Sequence, residues 1–363
     1  KNMKMRKIVC SFMISVVCFM TAISGVSATS YDTSKINAAY SKVVEYYKNN
    51  NNLNNADKIL AVESLGLEAE SNQFDTSSAD LSSTSLSKKI VTEVLLGVDP
   101  TEDKKTLESQ IDENGNVEGS WGASSDVWTL YALYVTSSEK TNLIANKLND
   151  ELAASSVCGY EWGGTYYADY DTTGWVIEGL AVVNKEKYAT TINKAIDYIK
   201  NNTTMTTTGW VTADNVDTQS QVLEGMFAYD TNALLNDSYT VHPVDCLLNT
   251  QLSDGSFPSG YNAEYTTAEV AKTLGTYKNG SVIIKAKKAY DKMMNPEQPD
   301  NTKPAQPTDT KKDSQSTNKV ETTNQKTTSV KTGDETNVVI FVSLSMVSGG
   351  LFLVLRKEYE RVH

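Results

Sequence analysis

Histidine is nearly absent: the 363 residues hold only His242 and His363, beside four cysteines and seven prolines. A Ser-His-Asp or Cys-His centre in the central part of the chain would have to rest on His242 alone, and no glycine-rich phosphate loop is present. The nearest metal-type grouping is His242, Asp245 and Cys246. His242 and Cys246 would share a helical face only if the helix began that early, and Pro243 sets His242 at or before the first turn. No other Cys or His lies nearby, so we assign no metal and no cofactor. Positive charge is also scarce, with 33 Lys and Arg against 45 Asp and Glu and a net charge of -12. Without a basic patch or a base-stacking cluster, nucleic acid is excluded as a partner, and the acidity reads mainly as a soluble, solvated surface.

The apolar runs long enough to interact with a membrane lie at the two ends. Lys4, Arg6 and Lys7 precede an almost uncharged stretch over 8–23, followed by Val26-Ser27-Ala28. Basic, apolar and small residues in that order read as a secretory signal peptide over 1–28, the alternative being a retained membrane anchor. Cys10 and Cys18 fall inside it, which leaves Cys158 and Cys246 to form either a disulfide or two buried thiols. Residues 338–355 form a second apolar run of bilayer-spanning length, followed by Arg356, Lys357 and Arg361. A basic tail stays cytoplasmic, so everything before Val338 is expected outside as a single C-terminal pass.

Upstream of that span stands Ser329-Val330-Lys331-Thr332-Gly333-Asp334. Motif, apolar span and basic tail together resemble a sortase cell-wall sorting signal, here over 330–363. In that family the motif is Leu-Pro-x-Thr-Gly; this chain has Ser329 and Val330 at the first two positions. The resemblance implies cleavage between Thr332 and Gly333, with sortase and a peptidoglycan precursor as partners. A simple membrane anchor is the alternative. Processing at both ends leaves an ectodomain of net charge about −15.

Residues 295–329 shift to Pro, Thr, Lys, Gln, Asn and Ser, and read as a disordered stalk. Residues 29–294 are read as one domain, because they repeat. Gly119-Ser120-Trp121, Glu161-Trp162-Gly163, Gly209-Trp210 and Gly255-Ser256-Phe257 are turns whose aromatics recur about 41 to 48 positions apart. An acid follows each, at Asp126, Asp171, Asp217 and Glu264, with a spacing of about 45 to 47. The decapeptides beginning at Asp171 and Asp217 share Asp, Thr, Val, Glu and Gly in register.

Apolar residues spaced three and four apart predict helices over 34–49 with Ser34 as N-cap, and over 59–67, 86–96, 127–135, 143–152, 175–183, 222–229, 244–252, 267–274 and 282–293. Ile192, Ala195, Ile196 and Ile199 add a stripe that ends at Asn201-Asn202. With no convincing alternating strand, the domain is all-α, and its hairpins would stack as an open solenoid or close into a ring.

The Asp-Thr-Thr helix starts and the Asp-Gly-Ser-Phe and Gly-Ser-Trp turns resemble the prenyltransferase/squalene-oxidase-repeat surface proteins of the terpenoid-cyclase family. That resemblance implies an α/α toroid of about six helical hairpins. Class II cyclases of that family use an Asp-x-Asp-Asp general acid. Asp169-Tyr170-Asp171-Thr172 matches three of the four positions, making Asp169 and Asp171 the catalytic candidates, while a recurring acid at a helix start more often serves as a cap or dipole partner. The family's prenyltransferases use zinc, for which the ligands are lacking here.

The turn aromatics are read first as repeat packing. The alternative is a ligand surface at one mouth, with Tyr160, Trp162, Tyr166, Tyr167, Tyr170 and Trp210 as candidates and residues 160–171 as an interhelical loop. The expected function is therefore binding of an unidentified ligand or partner by a secreted, wall-anchored (or membrane-anchored) surface protein. A terpene-cyclase-like enzyme and a passive adhesin or structural protein are the alternatives.

Overall fold

The computed structural model describes residues 31–70, 82–162, 165–202 and 215–296. The expected signal peptide, the stalk beyond residue 296, the sorting signal with Val330, Lys331, Thr332 and Gly333, and Trp210 lie outside these residues. The chain divides into two units, Lys1–Pro299 and Asp300–His363, and every described residue belongs to the first.

That unit is helical, as expected. Its elements are α1 (Ser34–Asn49), α2 (Ala56–Ser64), α3 (Ser83–Leu95), α4 (Thr101–Ser109), α5 (Ala123–Val135), α6 (Thr141–Ser155), β1 (Gly159–Trp162), β2 (Thr165–Ala168), α7 (Tyr170–Asn202), α8 (Val216–Asn236), α9 (Pro243–Leu248), α10 (Ala263–Asn279) and α11 (Val282–Met294). The helices follow the apolar stripes. In α1, Ile36, Ala39, Val43 and Tyr47 are buried.

Two helices break where the sequence had ended them. Asn184 in α7 and Asp230 in α8 are extended, and each side chain accepts a hydrogen bond from the amide three residues on, Lys187 at 3.0 Å and Ala233 at 2.9 Å. Each therefore caps a second helix, so α7 comprises 170–183 and 185–202 and α8 comprises 216–229 and 231–236.

Six helices form a closed circuit of contacts: α2 on α3, α3 on α5, α5 on α7, α7 on α8, α8 on α10, and α10 back on α2. Where successive contacts order them, these helices run parallel, because like ends meet. Lys58 at the start of α2 pairs with Glu264 at the start of α10 (2.8 Å), while Ser64 at the end of α2 donates to the Ala271 carbonyl further along α10 (3.3 Å). Along α8 and α10, Gln221 meets Glu269 and Glu224 meets Thr276. Outside this circuit α1 lies on α9 and α10, α4 on α3 and α5, and α6 on α5 and α7. The last helix, α11, packs on α2, α3, α5 and α10; Ser281, just before it, donates to Glu178 (2.6 Å), and Lys285 pairs with Glu63 near the end of α2 (2.6 Å).

Backbone contact sets the spacing of several of these helices. A Cβ on Gly174 would stand 2.4 Å from the Gln221 carbonyl oxygen, one on Gly225 2.3 Å from that of Gly174, and one on Gly275 2.5 Å from that of Ser64. Of the repeated Glu-Gly pairs, Glu224-Gly225 places its glycine where α7 and α8 touch, whereas Gly179 faces the side chains of α5.

Four local expectations are corrected. Residues 159–168 are a hairpin, not a loop: β1 and β2 pair antiparallel with Tyr160 opposite Tyr167, Glu161 opposite Tyr166 and Trp162 opposite Thr165. Tyr, Trp and Thr favour strands, and the intervening sequence is Gly163-Gly164, a pair common between hairpin strands. Helix α4 went unread because Leu107 is its sole buried residue. Thr33, not Ser34, is at the N-cap of α1, without a side-chain bond; Asp32 accepts the Ser34 amide instead. Finally, α9 ends at Leu248, and Leu252 is 46% exposed in the following turn.

Gly225→Ala is expected to lower the unfolding free energy by about 1–3 kcal/mol through overpacking, even after the helix-propensity gain of roughly 1 kcal/mol. Gly179→Ala, whose Cβ would meet only side chains at 3.2 Å and beyond, is expected to cost less; urea denaturation of both variants measures the difference.

Candidate functional site

Parallel helices bring their N-termini to one end of the circuit. There the second residue of α2 is Asp57, of α7 Asp171, of α8 Asp217 and of α10 Glu264, with Asp126 in the first turn of α5. An acid in a first turn meets the positive end of the helix dipole, so the recurring acids have a structural role at once. Their partners differ. Asp57 pairs with Lys88 (2.8 Å) and Glu264 with Lys58 (2.8 Å). Asp126 is fully buried, accepts from Ser120 (2.6 Å) and pairs with Lys147 (2.9 Å). Asp217 accepts from the Tyr261 hydroxyl (2.6 Å), and Asp171 from Thr218.

The two catalytic candidates part company. Asp169 caps α7, accepting from the Thr172 amide (3.1 Å) and hydroxyl (2.7 Å). Thr172, which replaces the last Asp of the family's motif, is thereby committed to the cap. Asp171 is half-buried, and burial, reinforced by the charges of Asp169, Asp217 and Glu269, pushes its carboxyl up to about 7.

Further along the same helices lies a polar interior that the sequence reading missed. Glu178, Glu224, Glu269 and Lys272 are all buried. Lys272 Nζ is 3.0 Å from Glu269 and 3.9 Å from Glu224. Burial opposes its charge, but attraction to Glu269 and Glu224 prevails and raises its pKa. Burial pushes the Glu224 and Glu178 carboxyls up. Tyr131 donates to the Trp175 carbonyl (2.8 Å) and lies 3.0 Å from Glu178. Trp128 meets Tyr131 and Trp175 edge to face at 5.3 and 6.0 Å, with the ammonium groups of Lys88 and Lys272 4.6 and 5.5 Å from its ring. One signal could have revealed this interior: Glu178-Gly179 and Glu224-Gly225 repeat in register, each flanked by apolar residues.

Of the aromatic ligand candidates, Tyr160, Trp162, Tyr166 and Tyr167 belong to the hairpin, where Tyr167 is 44% exposed. Tyr170 is half-buried against the core. Repeat packing describes Phe257, which is fully buried and donates its amide to Thr267 (3.0 Å), but not Trp121, which is 88% exposed. The Trp121 amide donates to Ser125 (3.1 Å), and Gly122 follows at φ 97°, a turn that leaves the indole in solvent. Tyr261 is 66% exposed. Trp121, Tyr167 and Tyr261 each stand two or three residues before a circuit helix, so they share the end where the acids lie. A cleft of about 280 Å³ opens there as well, lined by Tyr46, Tyr47, Asn50, Asn52, Lys58 and Glu264.

His242 caps α9, its Nδ1 accepting from the Val244 amide (3.3 Å), with the Tyr31 ring at 4.3 Å. Among the described residues no group of three His, Cys, Asp or Glu is arranged to hold a metal ion. Cys158 and Cys246 are buried thiols that form no disulfide, the second of the two arrangements the sequence left open, and burial raises both thiol pKa values. No family model matches the chain, and no curated protein or solved structure is significantly similar to it.

Two predictions follow from these environments. A thiol reagent such as Ellman's is expected to leave Cys158 and Cys246 unmodified in the native protein and to label both in guanidinium. For Asp171, and for Glu93, which burial also pushes up to about 7, the folded state holds the proton more tightly than the unfolded chain. Their contribution is full below the unfolded pKa near 4 and is lost as pH rises to about 7. Asp171→Asn should therefore raise the melting temperature at pH 8 and flatten its fall between pH 4 and 7, as read by thermal melts across that range.

Proposed function

We propose that the chain is a surface protein, exported and anchored in the cell wall through its C-terminal sorting sequence, whose domain is an α/α toroid that binds a ligand at one mouth without transforming it. The closed circuit of six helices supports the toroid over an open solenoid, in which the first and last hairpins would not meet. The mouth is the end where the acids and exposed aromatics gather. The observation that carries the binding role is the set Trp121, Tyr167 and Tyr261, large rings held in solvent at helix starts that packing alone does not require. The hairpin rings Tyr160, Trp162, Tyr166 and Tyr167, together with Tyr170, Trp210 and Asp217, are the remaining proposed contacts.

A second reading is general-acid chemistry of the terpene-cyclase kind at Asp171, favoured by the elevated pKa of that carboxyl. It lacks a second acid at the Thr172 position.

Native mass spectrometry of the full chain, extracted from producing cells, decides between them. A small-molecule adduct recovered unchanged, and lost in the Trp121→Ala/Tyr261→Ala double variant, is the expected outcome. Turnover of the recovered molecule would overturn the binding reading in favour of the enzyme, and a bare mass from several extractions would leave a passive adhesin.

A further inference from the structure

We infer that the mouth recognises a protonated primary amine on its ligand, held by Asp171, Asp217 and Gln221; this rests on the binding reading above and names the ligand's chemistry. The case begins with which charges are already neutralised. Lys88 is taken by Asp57, Lys58 by Glu264 and Lys272 by Glu269. Among the described residues neither Asp171 nor Asp217 has a cation within ion-pair distance; each holds a hydroxyl alone, from Thr218 and Tyr261 respectively. They are the second residues of two helices in direct contact, α7 and α8.

Gln221 supplies an independent observation. It lies one turn below Asp217 on the same face of α8 and is fully buried. Its Nε2 donates to Glu269 (3.0 Å) and to the Tyr265 hydroxyl (3.3 Å), which fixes the amide orientation, because Glu269 accepts from a nitrogen. The carbonyl oxygen of that amide, Oε1, is buried with no donor. A buried acceptor without a donor is costly and rare, and a ligand N–H would satisfy it.

Two uncompensated carboxylates and an orphaned amide oxygen make a site of acceptors. An anion or an acceptor-rich ligand would be repelled. A neutral hydroxyl offers one donor and no charge. A primary ammonium offers three N–H donors and a full positive charge, matching three acceptors. Tyr261 and Tyr265 flank these groups, with ring faces suited to the cation and to the alkyl chain that carries it. The amine could belong to a free alkylamine or to a lysyl side chain of a peptide.

Calorimetric titration of the full chain in detergent tests this, using cadaverine, the peptide acetyl-Gly-Lys-Gly-amide and 1-pentanol. At least one amine should bind and pentanol should not; cadaverine alone would indicate a free amine, the peptide alone a lysyl side chain. Asp171→Asn and Asp217→Asn should each weaken binding by about 10-fold or more, with unchanged far-UV dichroism showing that both fold. Amine binding that neither variant weakens, or pentanol binding as tightly as cadaverine, would overturn the inference. If neither amine binds while the native protein still carries an adduct, the amine chemistry fails and the binding reading survives; with no adduct either, both fail.

Discussion

Backbone touches backbone where α7 meets α8 and where α10 meets α2, and the rest of the domain depends on that spacing. Gly174, Gly225 and Gly275 remove the side chains that would otherwise hold these helices apart. Parallel helices packed this closely align their dipoles side by side, a repulsive arrangement at each end. Acids in the first turns of α2, α5, α7, α8 and α10 oppose it at the N-terminal end. The same packing that closes the circuit therefore favours carboxylates at the N-terminal end of these helices. The acidity of that end is first a requirement of the fold, and only the carboxylates left without a cation are free for any other role.

Inside the circuit one ammonium serves several carboxyl groups. Lys272 reaches Glu269 and Glu224, while Glu178 is held by Ser281 and Tyr131. Ionising all three acids around one lysine would bury uncompensated charge, and burial accordingly pushes the Glu224 and Glu178 carboxyls up. Such a network is weak evidence for stability, because desolvation offsets the attraction. Its geometric effect is firmer: Glu178 ties α7 to the residue that starts α11, and Glu269 ties α10 to Gln221 of α8.

The helices were legible because their buried positions recur at three and four residues, as in α1 with Ile36, Ala39, Val43 and Tyr47. The breaks at Asn184 and Asp230 coincide with the ends of the predicted stripes at Val183 and Tyr229, while the short second helix over 231–236 was not legible. The polar interior was not, because Gln221, Glu224, Glu269 and Lys272 look like a solvated face until the circuit closes over them; long-range packing, not local spacing, decides their burial. The hairpin was missed because its strands are four residues each, too short for alternation to stand out. The turn aromatics share one sequence position but not one environment. Phe257 is drawn inward by its bond with Thr267, and Trp121 is turned outward by the Gly122 conformation.

Asp171 is where the two functional readings meet, and its environment separates them. A carboxyl raised by burial beside Asp217 and Glu269 meets the requirement for a general acid, but it equally marks a place where a cation is missing. The two cases move the proton in opposite directions once the site fills. An apolar substrate that excludes water deepens the desolvation and holds the proton on Asp171, ready to be donated. A cationic ligand supplies the absent countercharge, favours the carboxylate and releases the proton. The second case also satisfies Asp217 and the orphaned oxygen of Gln221, which an apolar substrate would bury still further from any donor.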